Sequence, residues 1–229
     1  MASAPASQTL SRGIRILEIL ADGPLSIDDL AARLEVHRSI AYRLLRTLED
    51  HRLVVRDASG RAALGPRMAA LAAGVAHDLQ AEALPELTAV ANELGLTAFL
   101  TVLDGDEVIT LTSVEPRHAL ANVAQRPGAR HPVTVGAPGK AILTQMREVD
   151  WPAADAALRA EVAAVAERGY ALSHDEVIPN LRSIAVPLPL RGKRPAALAV
   201  VHMASRIPDA EIADRLQRSA ITIRAALDG

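Results

Sequence analysis

The sequence predicts an α+β protein in two parts. Three short helices closed by a β-hairpin come first, and a larger set of strands flanked by helices follows. Three observations predict this. Apolar residues recur at helical spacing through the first fifty positions. A glycine-bearing turn then separates two short β-type runs. From about residue 81 the texture shifts to Val-, Leu- and Thr-rich runs bounded by Gly, Pro and Asp.

In the first part, Leu10, Ile14, Leu17 and Ala21 fall at i, i+4, i+7 and i+11, one face of a helix over 8–21. Asp22-Gly23-Pro24 stops it. Ser26 stands three residues before Asp29, a capping box for a short helix to about Leu34. Val36 and His37 lead into a third helix ending near Asp50, with Ala41, Leu44, Leu45 and Leu48 as its apolar face. Candidate strands Leu53 to Arg56 and Arg61 to Leu64 flank the turn Asp57-Ala58-Ser59-Gly60. Three helices and a hairpin make a winged helix-turn-helix over residues 1–65.

Pro66 suits the first turn of a linker helix over 66–80, striped by Met68, Leu71, Ala72, Val75 and Leu79. That stripe either pairs with a second subunit or packs on its own neighbours. Residues 81–229 form the second domain. It opens with a helix carrying Leu84, Leu87, Ala91 and Leu94 and ending at Gly95. The hairpin TAFLTVLDGDEVITLTSV turns at Asp104-Gly105-Asp106, and a Pro- and Arg-rich stretch runs from Glu115 to Pro132. GAPGKAILTQM, from Gly136, opens a helix, and Leu158 to Arg168 is another, closed by Gly169. Strand-like runs occupy 170–173, 182–190 and 196–203, and Ile212, Leu216, Ile223 and Leu227 mark a final helix.

Composition narrows the function. The chain has 229 residues, 25 basic against 27 acidic, so any contact with nucleic acid rests on a local patch. There is no cysteine, which excludes disulfides, thiol nucleophiles and Cys-ligated zinc. No run approaches the ~20 apolar residues of a membrane span, and the N-terminus carries no secretory pattern, so a cytoplasmic protein is expected. One Phe, one Trp and two Tyr leave the core to Leu, Val, Ile and Ala. So few rings argue against a stacking platform for single strands.

The third helix carries the chemistry. Between Val36 and Leu48 its polar positions are His37, Arg38, Ser39, Tyr42, Arg43, Arg46 and Thr47, none acidic. Ser39, Tyr42, Arg43 and Arg46 share the face away from the apolar stripe. A solvated face usually mixes signs, whereas this one is cationic. Arg61 joins Arg52 and Arg56 on the hairpin, placed to straddle phosphates. Arginine can bridge guanine O6 and N7, while Ser39 and Tyr42 can hold phosphates or read a base edge. The expected partner is double-stranded DNA, with His37, Arg38, Ser39, Ile40, Tyr42, Arg43, Arg46 and Arg61 at the interface.

Residues 8 to 67 resemble the N-terminal domain of the IclR transcriptional regulators. The features are SRGIRILEIL, LSIDDLAARLEVHRSIAYRLLRTLEDHRLVVRD and LGPR. The DGDEVITL hairpin, GAPGKAIL, ERGYAL and NLRSIAVPL continue the resemblance in family order over nearly the whole chain. It implies a winged helix-turn-helix, a linker helix and a GAF-like effector-binding domain, assembled as a homodimer or tetramer on palindromic operators, with no cofactor. Where the family's recognition helix commonly reads Lys-Ser-Thr-Val-His-Arg, this chain has Arg38, Ser39, Ile40, Ala41, Tyr42 and Arg43. Ile40 puts a bulky apolar group in place of a hydroxyl, suited to a thymine methyl, and Tyr42 replaces His.

A DNA reader joined to a second domain suggests a switch worked by a small molecule. Gly136-Ala137-Pro138-Gly139 precedes a helix, where backbone N–H groups and the positive helix end can hold a carboxylate; a plain turn is the alternative. A P-loop is excluded, because Thr134 and Ala141 stand where it needs Gly and Ser or Thr. In family members that sense small keto acids, the resemblance places an Asp, a Cys and two Ser against the ligand. Here those positions are Ser173, Ser183, Ala199 and Val201. Burying oxygens of a compact polar ligand unpaired costs ~1–3 kcal/mol each, so the expected effector has one carboxylate and an apolar body. A hydroxybenzoate-type aromatic acid comes first, and a small aliphatic or keto acid is the alternative. His202, where the family usually has Gly, either meets the ligand or packs away from it. The whole reads as a ligand-responsive repressor of a catabolic operon. An enzyme is the rival from another class, but neither H-E-x-x-H nor G-x-S-x-G occurs, and no metal is expected. A protein-interaction module without DNA binding is the other.

Overall fold

The computed structural model describes residues 7–118 and 123–228. The chain divides into two units, Met1–Val75 and Ala76–Gly229.

In the first unit, α1 spans Gln8–Leu20, α2 Ile27–Arg33 and α3 Arg38–Asp50. Ser7 caps α1 by accepting from the Leu10 N–H at 3.3 Å. Ser26 caps α2, accepting from the Asp29 N–H at 3.2 Å and donating its hydroxyl to the Asp29 carboxylate at 2.7 Å. Strands β1 (Val54–Arg56) and β2 (Ala62–Leu64) pair antiparallel, and Leu25 bridges to Ala62. Ile16, Leu20, Leu30, Leu45, Val54 and Ala62 form the core. Ala41 and Leu45 are fully buried, as the spacing of α3 requires.

Helix α1 departs from expectation. Its buried face is Ile16 and Leu20, while Leu10 and Ile14 are 63% and 48% exposed. The helix carries apolar residues on two faces, and the periodicity selected the outer one. A second departure follows Pro66. Helix α4 covers only Arg67–Ala72 and buries no residue. Gly74, a poor helix residue, comes next, and Ala76 takes a left-handed backbone with φ 46°. A new helix, α5, then runs His77–Leu94. The single linker helix expected over 66–80 is therefore two helices. Its stripe is split, with Leu71 and Val75 exposed and Leu79 buried in the second unit.

In the second unit, β3 (Thr97–Asp104) and β4 (Glu107–Val114) form the hairpin, turning through Gly105 at φ 62°. A short β5 (Arg130–Pro132) emerges from the Pro- and Arg-rich stretch, of which 119–122 lie outside the described residues. Then come α6 (Gly136–Leu143), a 3-10 turn at Glu148–Asp150 and α7 (Ala156–Arg168). They are followed by β6 (Ala171–His174), β7 (Arg182–Leu188), β8 (Ala196–His202) and α8 (Asp209–Asp228). The six strands form one antiparallel sheet in the order β5-β4-β3-β8-β7-β6.

The sheet is covered on both faces, so its central strand β8 is buried along its whole length. Ala196, Leu198 and Val200 face α5 and α8, together with Leu87, Leu100, Ile212 and Leu216. Ala197, Ala199 and Val201 face α6 and α7, together with Phe99, Ile142, Leu143 and Val165. Each fully buried Leu or Ile contributes about 1.5–3 kcal/mol. Trp151, the chain's only tryptophan, packs against the α6–α7 side. Its indole N–H is buried without a hydrogen-bond partner among the described residues. No helix among the described residues is long and apolar enough to cross a membrane.

Candidate functional site

The outer face of α3 is built by its cap. His37 turns its ring back to accept from the Ser39 N–H at 3.3 Å and lies 2.9 Å from the Ser39 hydroxyl. The ring thus replaces the Ser or Asp that usually starts a helix. Arg38 is paired to Asp28 of α2. Ile40 is half-buried, while Tyr42, Arg43 and Arg46 are exposed. The guanidinium groups of Arg43 and Arg46 make no ion pair or hydrogen bond among the described residues, so both charges are uncommitted.

The hairpin arginines differ. Arg56 is held by Glu49 at 2.7 Å and donates to the Gly60 carbonyl at 3.2 Å. Arg61 donates to Asp57 at 3.1 Å and to the Ser59 hydroxyl at 3.0 Å. Asp57 organises this tip. It accepts from the Ser59 hydroxyl at 2.6 Å and from the Ser59 and Arg61 N–H groups, each at 2.9 Å. Those bonds, led by the Ser59 hydroxyl, stabilise the charged carboxylate and lower its pKa to about 2.

The second site lies where α6 begins. Gly136 has φ 81°, and a side chain there would meet Val177 within 2.9 Å. A Cβ at Gly139 would lie 2.1 Å from the Val133 carbonyl oxygen, so only glycine lets α6 pack this closely. No side chain of the preceding residue caps the helix. Instead the Gly136 N–H donates to Glu176 Oε2 at 2.9 Å, and Lys140 Nζ donates to Glu176 Oε1 at 2.6 Å. Lys140 is buried, with 5% of its side chain exposed, and also contacts Glu161 and the Leu172 carbonyl, the latter at 3.3 Å.

A small cavity of about 50 Å³, open to solvent at its mouth, adjoins this corner. Phe99, Pro138, Val177, Ile178, Leu181 and Val201 give it apolar walls, and Ser173, Ser183, Arg182 and Gln125 contribute polar groups. His131 also lines it, with burial holding the imidazole below its ordinary pKa against the opposing Pro132 carbonyl.

The cavity gathers Gly136, Pro138, Ser173, Ser183 and Val201 from the expected effector set. Ala137, Gly139 and Ala199 are fully packed behind it and do not line it. His202 does not line it, but lines an adjoining hollow with Lys140, Ser173, Glu176, Arg182 and Ser183. Strand alternation turns it to the α8 face, opposite Ser183 and Val201, because it pairs with Arg182. The residue is 5% exposed, both ring nitrogens lack a partner among the described residues, and burial, helped by Arg182, lowers its pKa. The sequence reading missed Glu176, Lys140, His131 and the Val177-Ile178 pair. Only the lysine inside GAPGKAIL carried a signal, an ammonium one turn into a helix whose start suits an anion. Among the described residues no cluster of His, Asp and Glu is arranged to hold a metal.

Two family models match the chain in tandem. Residues 9–58 match the IclR helix-turn-helix domain, and residues 72–226 match the bacterial transcriptional regulator IclR C-terminal domain. The chain belongs to the IclR family. The HTH-type transcriptional regulator XynR of Escherichia coli is 29% identical, over 97% of this chain and 98% of that protein. The crystal structure of an IclR transcriptional regulator from Alicyclobacillus acidocaldarius superposes with a TM-score of 0.86 at 31% identity, covering 97% of this chain and 99% of that one. An IclR homolog from Microbacterium hydrocarbonoxydans, solved in complex with 4-hydroxybenzoate, gives 0.83 at 25% identity, covering 96% and 99%. This IclR-family protein is thus a DNA-binding transcriptional regulator with an effector-binding domain, and not an enzyme.

Proposed function

We propose that this regulator represses a catabolic operon from the cytoplasm and is released from its operator by an organic acid with an apolar body, most simply a hydroxybenzoate. The supporting observation is the cavity at the start of α6. One end holds the Gly136 N–H, bonded to Glu176 together with the Lys140 ammonium behind it, and the walls are mainly aliphatic, with Phe99 and the His131 imidazole as the aromatic rings. A carboxylate finds donors at one end and a ring finds apolar contact at the other. Ala199 and Val201 supply no hydroxyl to a compact keto acid. The 4-hydroxybenzoate complex of the Microbacterium homolog is consistent with an acid of this shape.

The regulator acts as a homodimer or tetramer on duplex DNA. Arg43 and Arg46, with Ser39 and Tyr42, meet the major groove, and the Arg61 hairpin reaches the flanking phosphates. His37 and Arg38 serve that face from its edge, one as cap and one through its link to α2. Titration calorimetry with 4-hydroxybenzoate and with glyoxylate tests the ligand class. The aromatic acid should bind at least tenfold more tightly, and tighter glyoxylate binding overturns the assignment.

A further inference from the structure

The donors that suit a ligand carboxylate are already taken by the chain itself. The Gly136 N–H has one proton to give, and Glu176 accepts it. Lys140 has three, and they are spent on Glu176, Glu161 and the Leu172 carbonyl. One ammonium therefore faces two carboxylates, while Arg182, which also lines the cavity, is drawn to Asp209. Glu176 sits on the segment between β6 and β7. That segment is closed on itself, with the Asn180 N–H donating to the Asp175 carboxylate at 2.6 Å and the Asp175 N–H to the Leu181 carbonyl at 3.0 Å. Asp175 and Asn180, at its two ends, take left-handed backbones at φ 61° and 62°. Val177 and Ile178, about half exposed, follow Glu176 directly and form part of the cavity wall.

We propose that Glu176 is a built-in competitor for the effector's carboxylate, and that it decides which ligands the cavity admits. This rests on the carboxylate-sensing reading above. A ligand enters by exchanging its own carboxylate for that of Glu176 on the Gly136 N–H and Lys140. An exchange of like for like keeps the buried ammonium paired. Simple removal of Glu176 would leave one of its donors empty, which is costly in a buried place. Neutral analogues cannot make the exchange, so the cavity selects acids over their amides. Glu176 carries Val177 and Ile178 outward when it leaves, opening the wall for the ligand's apolar body.

The test compares the full-length protein with Glu176→Gln, using 4-hydroxybenzoate, isovalerate and 4-hydroxybenzamide in calorimetry. Glutamine keeps the size and loses the charge. The acids should bind about tenfold more tightly to the variant, a gain of about 1.4 kcal/mol, while the amide changes little. Hydrogen exchange adds an independent reading. Amides of 174–181 should exchange faster in Glu176→Gln without ligand, and faster in the wild type once the acid is bound. If the acids bind the variant no better than the wild type, the competitor role is overturned and carboxylate sensing stands. Unchanged exchange over 174–181 on binding also overturns it. If no acid binds either protein, both readings fall together.

Discussion

Replacing Arg43 with alanine separates a groove-reading helix from an ordinary solvated one. The side chain is exposed and unpaired, so its loss should change the stability of the fold by less than about 0.5 kcal/mol. A base-edge contact by arginine is worth about 1–3 kcal/mol. A dimer loses it twice, giving about 2–6 kcal/mol, or about 30-fold to 10⁴-fold in affinity. Arg61→Ala should cost much less. That guanidinium must first leave Asp57, an exposed and solvent-screened pair, and what it gains is only a phosphate contact. The assay is fluorescence anisotropy on a labelled duplex from upstream of the protein's own gene, at several salt concentrations, with thermal melting and effector calorimetry as controls. Arg61→Ala should flatten the dependence on salt by about one ion per subunit, while Arg43→Ala should reduce discrimination against unrelated duplex. Affinity for Arg43→Ala within threefold of wild type at every salt concentration would refute the groove assignment.

Three further outcomes are expected. Gly139→Ala drives a methyl into the Val133 carbonyl and should destabilise the protein by about 1–3 kcal/mol or more, seen as a lowered melting temperature. The Asp57 turn should be pH-dependent. Its folded pKa, near 2, lies below the ordinary carboxylate value of 3.8, so its contribution is complete above about 4 and is lost as pH falls through 2; faster amide exchange at Ser59 and Arg61 over that window checks it. Glutamate at both Leu71 and Val75, which are exposed, should shift the protein toward monomer in light scattering without lowering helix content, whereas an unchanged mass would remove α4 from the subunit interface.

Local chemistry made most of the fold legible. Ser26 and Asp29 announced α2, and Gly95 and Gly169 ended α5 and α7 in the left-handed conformations their positions suggested. The apolar run of β8 marked a strand buried on both sides. What failed was any choice that depends on a partner element. The Leu10–Ile14 stripe is as periodic as Ile16–Leu20, and only the packing of α2 and α3 decides between them. The stripe after Pro66 is continuous in sequence, yet Gly74 and the left-handed Ala76 interrupt it, and α4 buries none of its residues. The ligand site was half legible for the same reason. GAPGK advertised an anion, but the anion the structure supplies is Glu176, thirty-six residues beyond Lys140. His202 lines an adjoining hollow rather than the cavity itself, because one step along a strand changes the face.

Trp151 has a practical consequence. The sole indole of the chain lies in the effector-binding unit, against the same side of the sheet as α6, and the first unit has none. Emission excited at the red edge, where Tyr42 and Tyr170 absorb little, therefore reports from one half of the molecule only. Titrating an acid into the unlabelled protein gives an optical signal blind to DNA contacts, while a dye on the duplex follows the other half, so both events can be timed in one cuvette.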